Sequence, residues 1–440
     1  MEPHAPPIQL YAELLPNIRQ ITFYISLTSD WDESNVSAFT DTPVLPPKLS
    51  VSDCRTTISV SYRDHLQSLL LPSRVSPNAC RALFNPLSLA RASSAGKSAL
   101  EFSIRLQVDD TVPVGLQHDI RIPWTAKDLS SGTQVQCQKC GSELFSPRNN
   151  VEVEWKDLPN ADWAEMMDLW HCHKPDPHED DLKAANNAEN EKVKGYGAAN
   201  RVACAPGTGL VDVASFVLAE NDCANVKKDY IYSKSLKNEN TVSSESRSLP
   251  PATLLCRGCE AIVGQEEPSL SGLRLYKTSV AVSTKSKVQA EAGRNLTWES
   301  FPVNMIIAAQ LLVLIDRTGT RRFIIHDDND TSGDGILIWI FNPSLRYSSS
   351  SSSLSLPITS QRAMKVFYQL LSQTELRSLL NPQAGTSVST ALEDLALPTG
   401  IYEDVKRGLE TSNAILPHSA RNFKEWKVGL LDVYEERSIT

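Results

Sequence analysis

Two Cys-x-x-Cys pairs, Cys137-Gln-Lys-Cys140-Gly141 and Cys256-Arg-Gly-Cys259-Glu260, decide how this chain is expected to close its fold. Each pair offers two thiolates at the spacing that a tetrahedral zinc ion requires. Together they predict one structural Zn²⁺ site, with Cys137, Cys140, Cys256 and Cys259 as its ligands. Because a long stretch of chain separates the pairs, the site is expected to join two halves of one fold.

Two other uses of these cysteines stay open from the sequence. The first pair can make a metal site with two of the residues His171, Cys172 and His173, which would leave the second pair free. Alternatively, both pairs are buried reduced thiols without metal. A redox dithiol is disfavoured, because neither pair opens an evident helix whose N-terminus would lower a thiol pKa.

Composition restricts the functions that the chain can have. Its 440 residues are 41% hydrophobic, enough for a large core, and its formal net charge is −9. No run of Lys or Arg forms a basic patch, which argues against direct nucleic-acid binding. The longest apolar stretch, from Val303 to Ile315, is too short to cross a bilayer, so no membrane partner is expected. The N-terminus shows no signal pattern, and a cytoplasmic and/or nuclear location is expected, where Cys-x-x-Cys favours metal binding.

The N-terminal half is expected to be rich in strands and sandwich-like. Short stretches with partial alternation and β-branched or aromatic residues are separated by Pro and by Ser/Asp clusters. They predict the strands Ile8–Leu15, Gln20–Leu27, Thr57–Tyr62, Ala99–Val108 and Ile120–Trp124.

The C-terminal half is expected to mix strands with helices. The predicted strands are Leu273–Ser283, Met305–Ile315, Arg322–His326, Ile336–Phe341 and Trp426–Leu430. Helices are predicted at Thr359–Ser372 and Asp404–Ser412. The expected fold class is therefore α+β and β-rich, with a β-sandwich-like N-terminal half and a mixed C-terminal half closed by the zinc site.

Four consecutive segments follow from this pattern. They are a β-rich domain at 1–135, the zinc knuckle with a Trp-x-Cys-His element at 136–176, largely flexible insertions at 177–251, and an α+β C-terminal domain at 252–440. The insertions are polar and contain little that can pack. The run Ser348–Ser353 has low complexity and predicts a disordered loop tip.

A third cluster, Trp170-His171-Cys172-His173, lies between the two pairs, after a predicted short helix at Trp163–Trp170. Imidazole neighbours can take the proton of the Cys172 thiol and make it a nucleophile. The same side chains can instead act as ligands to a partner's metal ion. A plain surface loop whose Trp packs on the core is the third interpretation. The lone cysteines are expected to be inert: Cys54, Cys80, Cys204 and Cys223.

These motifs together resemble one known family, the HECT-like ubiquitin-conjugating-enzyme (E2)-binding proteins, which are described as ubiquitin ligases. The resemblance rests on the first knuckle, on Leu158-Pro-Asn-Ala-Asp-Trp163, on Trp170–His173 followed by Pro175-Asp176, and on the second knuckle. Lys174 stands between His173 and Pro175 and departs from the family's Trp-x-Cys-His-Pro-Asp element.

The resemblance implies a ubiquitin-protein ligase whose partners are an E2 enzyme and ubiquitin. The partner-binding residues that it implies are Leu158, Pro159, Trp163, Trp170, Cys172 and His173. No cysteine follows Cys259, so the C-terminal thioester cysteine of a HECT ligase has no counterpart here, and one zinc site is too few for a RING domain. With four cysteines assigned to zinc, the candidate for a thioester is Cys172, with His173 beside it. The ligase can instead act as a scaffold for the E2 enzyme, without a thioester of its own.

The resemblance also implies an alternative, because the family's yeast relative is tied to mRNA 3′-end cleavage and polyadenylation. The chain would then be a non-catalytic binding factor or assembly chaperone for the metal-dependent endonuclease of that machinery. Cys172 and His173 would reach the partner's metal site. Both hypotheses make Cys172 central.

Overall fold

The computed structural model describes most of the chain, and the structural statements below concern only that part. The described residues are 8–28, 47–83, 90–91, 99–112, 121–146, 152–158, 204–230, 251–284, 297–328, 333–350, 360–381 and 392–435. They form a β-rich fold with few helices. None of the described helices is long and apolar enough to cross a membrane.

Strands dominate from the first described residue to the last. The first seven are β1 Ile8–Leu15, β2 Gln20–Thr28, β3 Lys48–Val51, β4 Thr57–Tyr62, β5 His65–Leu70, β6 Ala90–Arg91 and β7 Ala99–Gln107. The middle of the chain has β8 Val135–Cys137, β9 Glu143–Phe145, β10 Glu154–Asp157, β11 Thr208–Val211, β12 Ser215–Leu218, β13 Val226–Asp229, β14 Thr253–Cys256, β15 Ile262–Glu267, β16 Gly272–Tyr276, β17 Val280–Thr284 and β18 Thr297–Glu299. The last strands are β19 Arg322–Asp327, β20 Gly335–Ser349, β21 Gln361–Leu371, β22 Glu393–Leu397, β23 Asn422–Phe423 and β24 Trp426–Asp432. The α-helices are α1 Pro77–Leu83, α2 Val303–Thr318, α3 Gln373–Leu380 and α4 Thr399–Ile415.

The chain divides into two compact units, and the second is inserted into the first. The terminal unit comprises Met1–Ile122 and Pro302–Thr440, and the inserted unit comprises Pro123–Phe301. This division differs from the four consecutive segments expected from the sequence. A sequence pattern follows chain order, whereas the terminal unit is assembled from strands at both ends of the chain.

In the terminal unit, one ten-stranded sheet joins the two ends of the chain. Its order is β23-β24-β21-β20-β1-β2-β7-β6, and β19 pairs with both β20 and β22. The link between the ends is the antiparallel pairing of β1 with β20, in which Tyr11 lies opposite Ser349. A separate sheet of β3, β4 and β5 contributes Leu49, Ile58 and Leu69 to a core shared with β1, β2 and β7.

Two helices cover one face of the C-terminal part of this sheet. Alternate residues of β20, namely Ile336, Ile338 and Ile340, are fully buried in a core that also contains residues of α2 and α4. The intervening residues Trp339 and Phe341 point to the opposite face, as the two-residue period of a strand requires.

The prediction of a strand at Met305–Ile315 is wrong, because these residues belong to helix α2. The stretch is almost uniformly apolar, and periodicity cannot distinguish a buried strand from a buried helix in such a sequence. The residues at its two ends did indicate a helix. The helix begins after Pro302 and ends at Gly319, whose φ of 69° is the left-handed conformation common at helix C-termini.

The prediction of a helix at Thr359–Ser372 is also wrong, because the described part of this stretch forms strand β21. Met364, Val366 and Tyr368 are buried toward the helices, while Ala363 and Phe367 are buried in a different cluster. A strand buried on both faces has apolar residues at adjacent positions, and these reproduce a helical i, i+3, i+4 spacing by chance.

Smaller differences concern segment ends. Arg121–Trp124, the described part of the predicted strand Ile120–Trp124, forms no strand, and Leu273–Ser283 is two strands, β16 and β17, separated by a 3₁₀ turn. Ser348 and Ser349 are buried at the end of β20 instead of lying in a loop tip. Among the remaining predictions that fall on described residues, six strands are confirmed to within a few residues at their ends: Ile8–Leu15, Gln20–Leu27, Thr57–Tyr62, Ala99–Val108, Arg322–His326 and Trp426–Leu430. Ile336–Phe341 and Asp404–Ser412 are confirmed as parts of the longer strand β20 and the longer helix α4. The predicted helix Trp163–Trp170 lies outside the described residues.

The inserted unit contains two antiparallel-rich sheets. One has the order β10-β11-β12-β16-β15-β14-β13, and the other has the order β18-β17-β8-β9. Strands β11 to β13 lie within 177–251, which the sequence predicted to be largely flexible. All four knuckle cysteines belong to this unit. The expectation that the site joins the two halves of the fold is therefore wrong: the site links the two sheets' strand ends within the inserted unit, while β1 and β20 join the chain ends.

Candidate metal centre

Each cysteine pair lies in a turn at the end of a strand, and the two turns have the same hydrogen-bond pattern. Cys137 ends β8 and Cys256 ends β14. The amide of Cys137 donates to the carbonyl of Ser142 at 2.8 Å, and that of Cys256 donates to the carbonyl of Ala261 at 2.9 Å. A second bond closes each turn, from Gly141 N–H to the Cys137 carbonyl and from Glu260 N–H to the Cys256 carbonyl. The backbone thus builds the same knuckle twice.

Both knuckles need a left-handed residue directly after the second cysteine. Gly141 has a φ of 73° and Glu260 a φ of 57°. Glycine adopts this conformation without steric cost, whereas an L-residue with a side chain does not. The first knuckle therefore uses the preferred residue, and the second holds Glu260 in a strained conformation.

Close approach of the two knuckles depends on a glycine inside the second pair. A Cβ atom at Gly258 would collide with Ser142 Oγ and lie 3.3 Å from Cys140 Sγ. The Arg-Gly spacer of the second pair is thus explained by packing against the first pair.

The four sulfur atoms form one compact group. Cys137 Sγ lies 3.7 Å from Cys259 Sγ, and Cys140 Sγ lies 3.5 Å from Cys256 Sγ. All four lie within 4.8 Å of one another. Tetrahedral zinc with Zn–S bonds of about 2.3 Å places its sulfur ligands about 3.8 Å apart. The four cysteines can therefore hold one metal ion, and their spacing and chemistry fit zinc.

The four thiols differ in their burial and in their hydrogen bonds. Cys137 and Cys256 are buried, Cys259 is half-buried, and Cys140 is exposed. Burial raises the pKa of Cys137 to about 12, whereas hydrogen bonds from the hydroxyl and amide of Ser142 lower the pKa of Cys140 to about 6. A bound metal ion would favour the thiolate form of all four cysteines.

The similarity of the chain to known proteins agrees with the motif resemblance. Residues 13–428 match the family described as HECT-like ubiquitin-conjugating enzyme (E2)-binding. The chain belongs to this family. The match spans both the terminal and the inserted unit.

Three relatives of this E2-binding family member cover most of its length. An uncharacterised protein of Schizosaccharomyces pombe is 26% identical over 363 residues, which are 80% of this chain and 90% of the relative. An uncharacterised protein of Saccharomyces cerevisiae is 24% identical, over 69% of this chain and 71% of its own. A protein of Bos taurus that is named as an E3 ubiquitin-protein ligase is 24% identical, over 67% of this chain and 71% of its own. No solved structure matches the chain.

Of the residues predicted to bind partners, the structure describes only Leu158. It is half-buried directly after β10, and its amide donates to the Val211 carbonyl at 2.7 Å. Pro159, Trp163, Trp170, Cys172 and His173 lie outside the described residues. His171 does so too, so the alternative metal site that includes it stays untested, although the second pair lies beside the first.

The cysteines outside the knuckles are not equivalent, contrary to the expectation that all are inert. Burial raises the pKa of Cys80 and Cys204, and raises that of Cys223 to about 12. Cys54 is exposed, and the hydroxyls of Ser52 and Thr56, at 3.1 and 3.0 Å from its Sγ, lower its pKa to about 7. Any test for a ubiquitin-accepting thiol in this family member must therefore include Cys54.

Lys277 is a functionally placed residue that the sequence analysis missed. Its side chain is fully buried, and Nζ donates to the carbonyls of Pro123 and Trp124 at 2.8 and 3.0 Å. It anchors the first residues of the inserted unit to β16 and β17. The two-residue alternation that buries Leu273 and Leu275 also places Lys277 on the buried side, and this signal was present in the sequence.

Proposed function

We propose that this E2-binding family member is a ubiquitin-protein ligase that accepts ubiquitin on Cys172. The observation that supports the proposal most directly is the match to the E2-binding family over residues 13–428. The bovine relative carries the name E3 ubiquitin-protein ligase, which agrees with this activity. The proposed setting is the cytoplasm and/or the nucleus, where E2 enzymes and ubiquitin are available as partners.

The cysteine inventory supports Cys172 as the acceptor. Four cysteines form the candidate metal centre, and burial raises the pKa of the thiols of Cys80, Cys204 and Cys223. Among the rest, only Cys172 has histidines on both sides in the sequence. An adjacent imidazole can act as the base that a thiol nucleophile needs.

The proposed reaction is a thioester exchange followed by aminolysis. The Cys172 thiolate attacks the thioester carbonyl of the E2–ubiquitin conjugate, its proton having passed to a neighbouring histidine. The bond to the E2 sulfur breaks, and the E2 leaves as a thiolate that takes up a proton. A lysine amine of the substrate then attacks the new thioester, forms an amide, and releases the Cys172 thiol.

We further propose that zinc occupies the four-cysteine centre in a purely structural role. The site offers four protein ligands and therefore leaves no open coordination position for a substrate, as is typical of structural zinc. Its contribution would be to hold the ends of β8 and β14 together within the inserted unit.

A ubiquitin-charging assay tests the acceptor. The full chain is mixed with ubiquitin, activating enzyme and a panel of E2 enzymes, and the products are separated with and without reductant. The wild type is expected to form a reductant-sensitive ubiquitin adduct, Cys172→Ser a reductant-resistant ester, and Cys172→Ala none.

Two matched substitutions make the result interpretable. Cys54→Ser removes an exposed thiol that lies outside the metal centre and whose pKa is lowered to about 7, and it is expected to leave the adduct unchanged. Cys204→Ser changes a cysteine of the inserted unit outside the metal centre and serves as the folding control. Loss of the adduct in Cys54→Ser, together with its persistence in Cys172→Ala, would show that the wrong cysteine was assigned.

The alternative, a binding factor for a metal-dependent endonuclease, is supported by the His-Cys-His order of residues 171–173, which are side chains that bind transition metals. It predicts that Cys172→Ala weakens co-purification with the nuclease and that no E2 charges the wild type. The charging and co-purification assays on the same variants therefore separate the two functions.

A further inference from the structure

Five aromatic side chains form one surface on the terminal unit, on the side of the sheet opposite α2 and α4. This aromatic face consists of Trp339, Phe341, Phe367, Phe423 and Trp426, from the strands β20, β21, β23 and β24. Phe341 and Phe423 are 50% and 45% exposed. Phe341 lies at a register shift between Ile340 and Asn342, and such bulges re-aim a side chain.

The rings of the aromatic face are held in fixed positions by one another. The buried Phe367 ring stacks on Phe341 at a centroid distance of 5.0 Å and on Phe423 at 4.9 Å. Trp339 packs against Phe367 and Trp426 at 5.4 and 6.3 Å. Because the exposed rings are already ordered, a partner would bind them at little cost in conformational entropy.

Two cations lie on the aromatic face without an acidic partner. The Arg322 guanidinium sits 5.6 Å from the ring centroid of Trp339, and the Lys424 ammonium sits 5.9 Å from that of Phe423. Within the described part of the chain, neither forms an ion pair with a carboxylate. The nearest acid in the sequence, Glu425, accepts a hydrogen bond from the indole of Trp426 at 3.1 Å. The face thus combines exposed apolar rings with two cations and one carboxylate, and its net positive charge is complementary to an apolar segment carrying negative charge.

The stacking geometry favours a protein segment over single-stranded nucleic acid as that partner. Nucleobases bind aromatic side chains by stacking on free ring faces. One face of the Phe423 ring is covered by Phe367, at an interplanar angle of 9°, and Lys424 lies over the ring. Phe367 and Lys424 thus leave less of the Phe423 ring free for base stacking, while its exposed part remains available for van der Waals contact with aliphatic side chains.

We propose that the aromatic face is a docking surface for a protein segment in which an apolar side chain is flanked by carboxylates. The apolar side chain would rest against Phe341 and Phe423, and its carboxylates would pair with Arg322 and Lys424. This surface goes beyond the proposed ligase function, since it uses neither Cys172 nor the metal centre, and its test does not depend on ubiquitin transfer.

Selection from a phage-displayed library of random dodecapeptides on the full-length protein tests the proposal. The enriched peptides are expected to share an apolar residue with Asp or Glu on its flanks. Measured by fluorescence polarisation, their affinity is expected to fall about tenfold or more in Phe423→Ser, since exposed aromatic anchors dominate such interfaces. Lys424→Glu is expected to weaken the acidic peptide and to strengthen a counterpart in which one acid is replaced by Lys.

Leu66→Ser is the matched control, because Leu66 is a 70% exposed apolar residue of the same unit outside the aromatic face. It is expected to leave peptide affinity unchanged, and all variants are expected to keep the wild-type thermal midpoint. Enriched peptides without acidic flanks, or with equal affinity for Phe423→Ser, would overturn the proposal. The proposal would also be overturned if the wild type bound oligouridylate, or self-associated in sedimentation, and Phe423→Ser abolished that binding or self-association.

Discussion

Loss of the metal centre is expected to destabilise the inserted unit while leaving the terminal unit intact. Cys256→Ser removes a fully buried ligand that lies 3.5 Å from Cys140 Sγ. Cys140 and Cys256 are 116 positions apart, so a bound metal closes a long loop in the unfolded chain. Treated as a cross-link of that length, the lost constraint is worth about 5 kcal/mol.

Hydrogen exchange of the full-length protein measures this effect strand by strand. A loss of about 5 kcal/mol lowers the protection of amides limited by opening of the inserted unit by about three and a half orders of magnitude. The amides of β12 and β14 are expected to show this loss in Cys256→Ser and after chelation. The amides of β1 and β2 serve as the internal control, since they belong to the terminal unit.

Metal analysis accompanies the exchange measurement. The wild type and Cys204→Ser are expected to contain about one zinc per chain, and Cys256→Ser none. Wild-type protection of β12 and β14 in protein shown to be zinc-free would refute the reasoning. A wild-type protein that binds no zinc would instead favour buried reduced thiols.

Three further predictions concern single side chains. Glu260→Gly is expected to raise the free energy of unfolding by about 0.5–1 kcal/mol, because Glu260 has a φ of 57° that glycine adopts freely. Gly141→Ala is expected to lower the free energy of unfolding by a similar amount, and thermal melts compare the two variants. Burial lowers the pKa of Lys277 to about 7, below the unfolded value of about 10.4, so the unfolded state binds more protons between these pH values. Stability is therefore expected to rise with pH across this window by up to about 1.4 kcal/mol per pH unit, and urea titrations should show that Lys277→Met lacks this contribution; an unchanged pH profile would contradict the assignment. Glu101→Gln is expected to cost about 1–3 kcal/mol in urea melts, because the buried carboxylate accepts bonds from the amides of His418 and Ser419, whereas Glu154→Gln on the surface should cost nothing measurable.

The residues of the candidate metal centre could be predicted from local sequence, but the strands that they connect could not. The Cys-x-x-Cys spacing predicted four ligands, and the structure brings them together. The spacing carries this information because two thiolates in one tight turn are a local arrangement. Which strands the centre connects depends on contacts between distant residues. The sequence predicted a link between the two halves of the fold, whereas the four cysteines all lie within the inserted unit.

Strand patterns behave in the same way. The strand Thr57–Tyr62 was predicted correctly, because its alternate residues Ile58 and Val60 face a core and the residues between them do not. Ile8–Leu15 was also predicted correctly, although Tyr11 on its other side is buried as well. Met305–Ile315 and Thr359–Ser372 were assigned to the wrong type. Met305–Ile315 is apolar at nearly every position, and Thr359–Ser372 has apolar residues at adjacent positions, so only their neighbours in the fold determine whether a helix or a strand forms.

The sequence by itself therefore determined which four cysteines come together in the candidate metal centre, the family, and most of the strands, since each depends on residue types within a few positions. Tertiary structure alone decided that β1 pairs with β20, that residues 123–301 form an inserted unit, and that five aromatic side chains share one face. These features depend on contacts between residues that are far apart in the chain. Each such contact stabilises the fold only after distant segments have come together, so no short stretch of sequence predicts it.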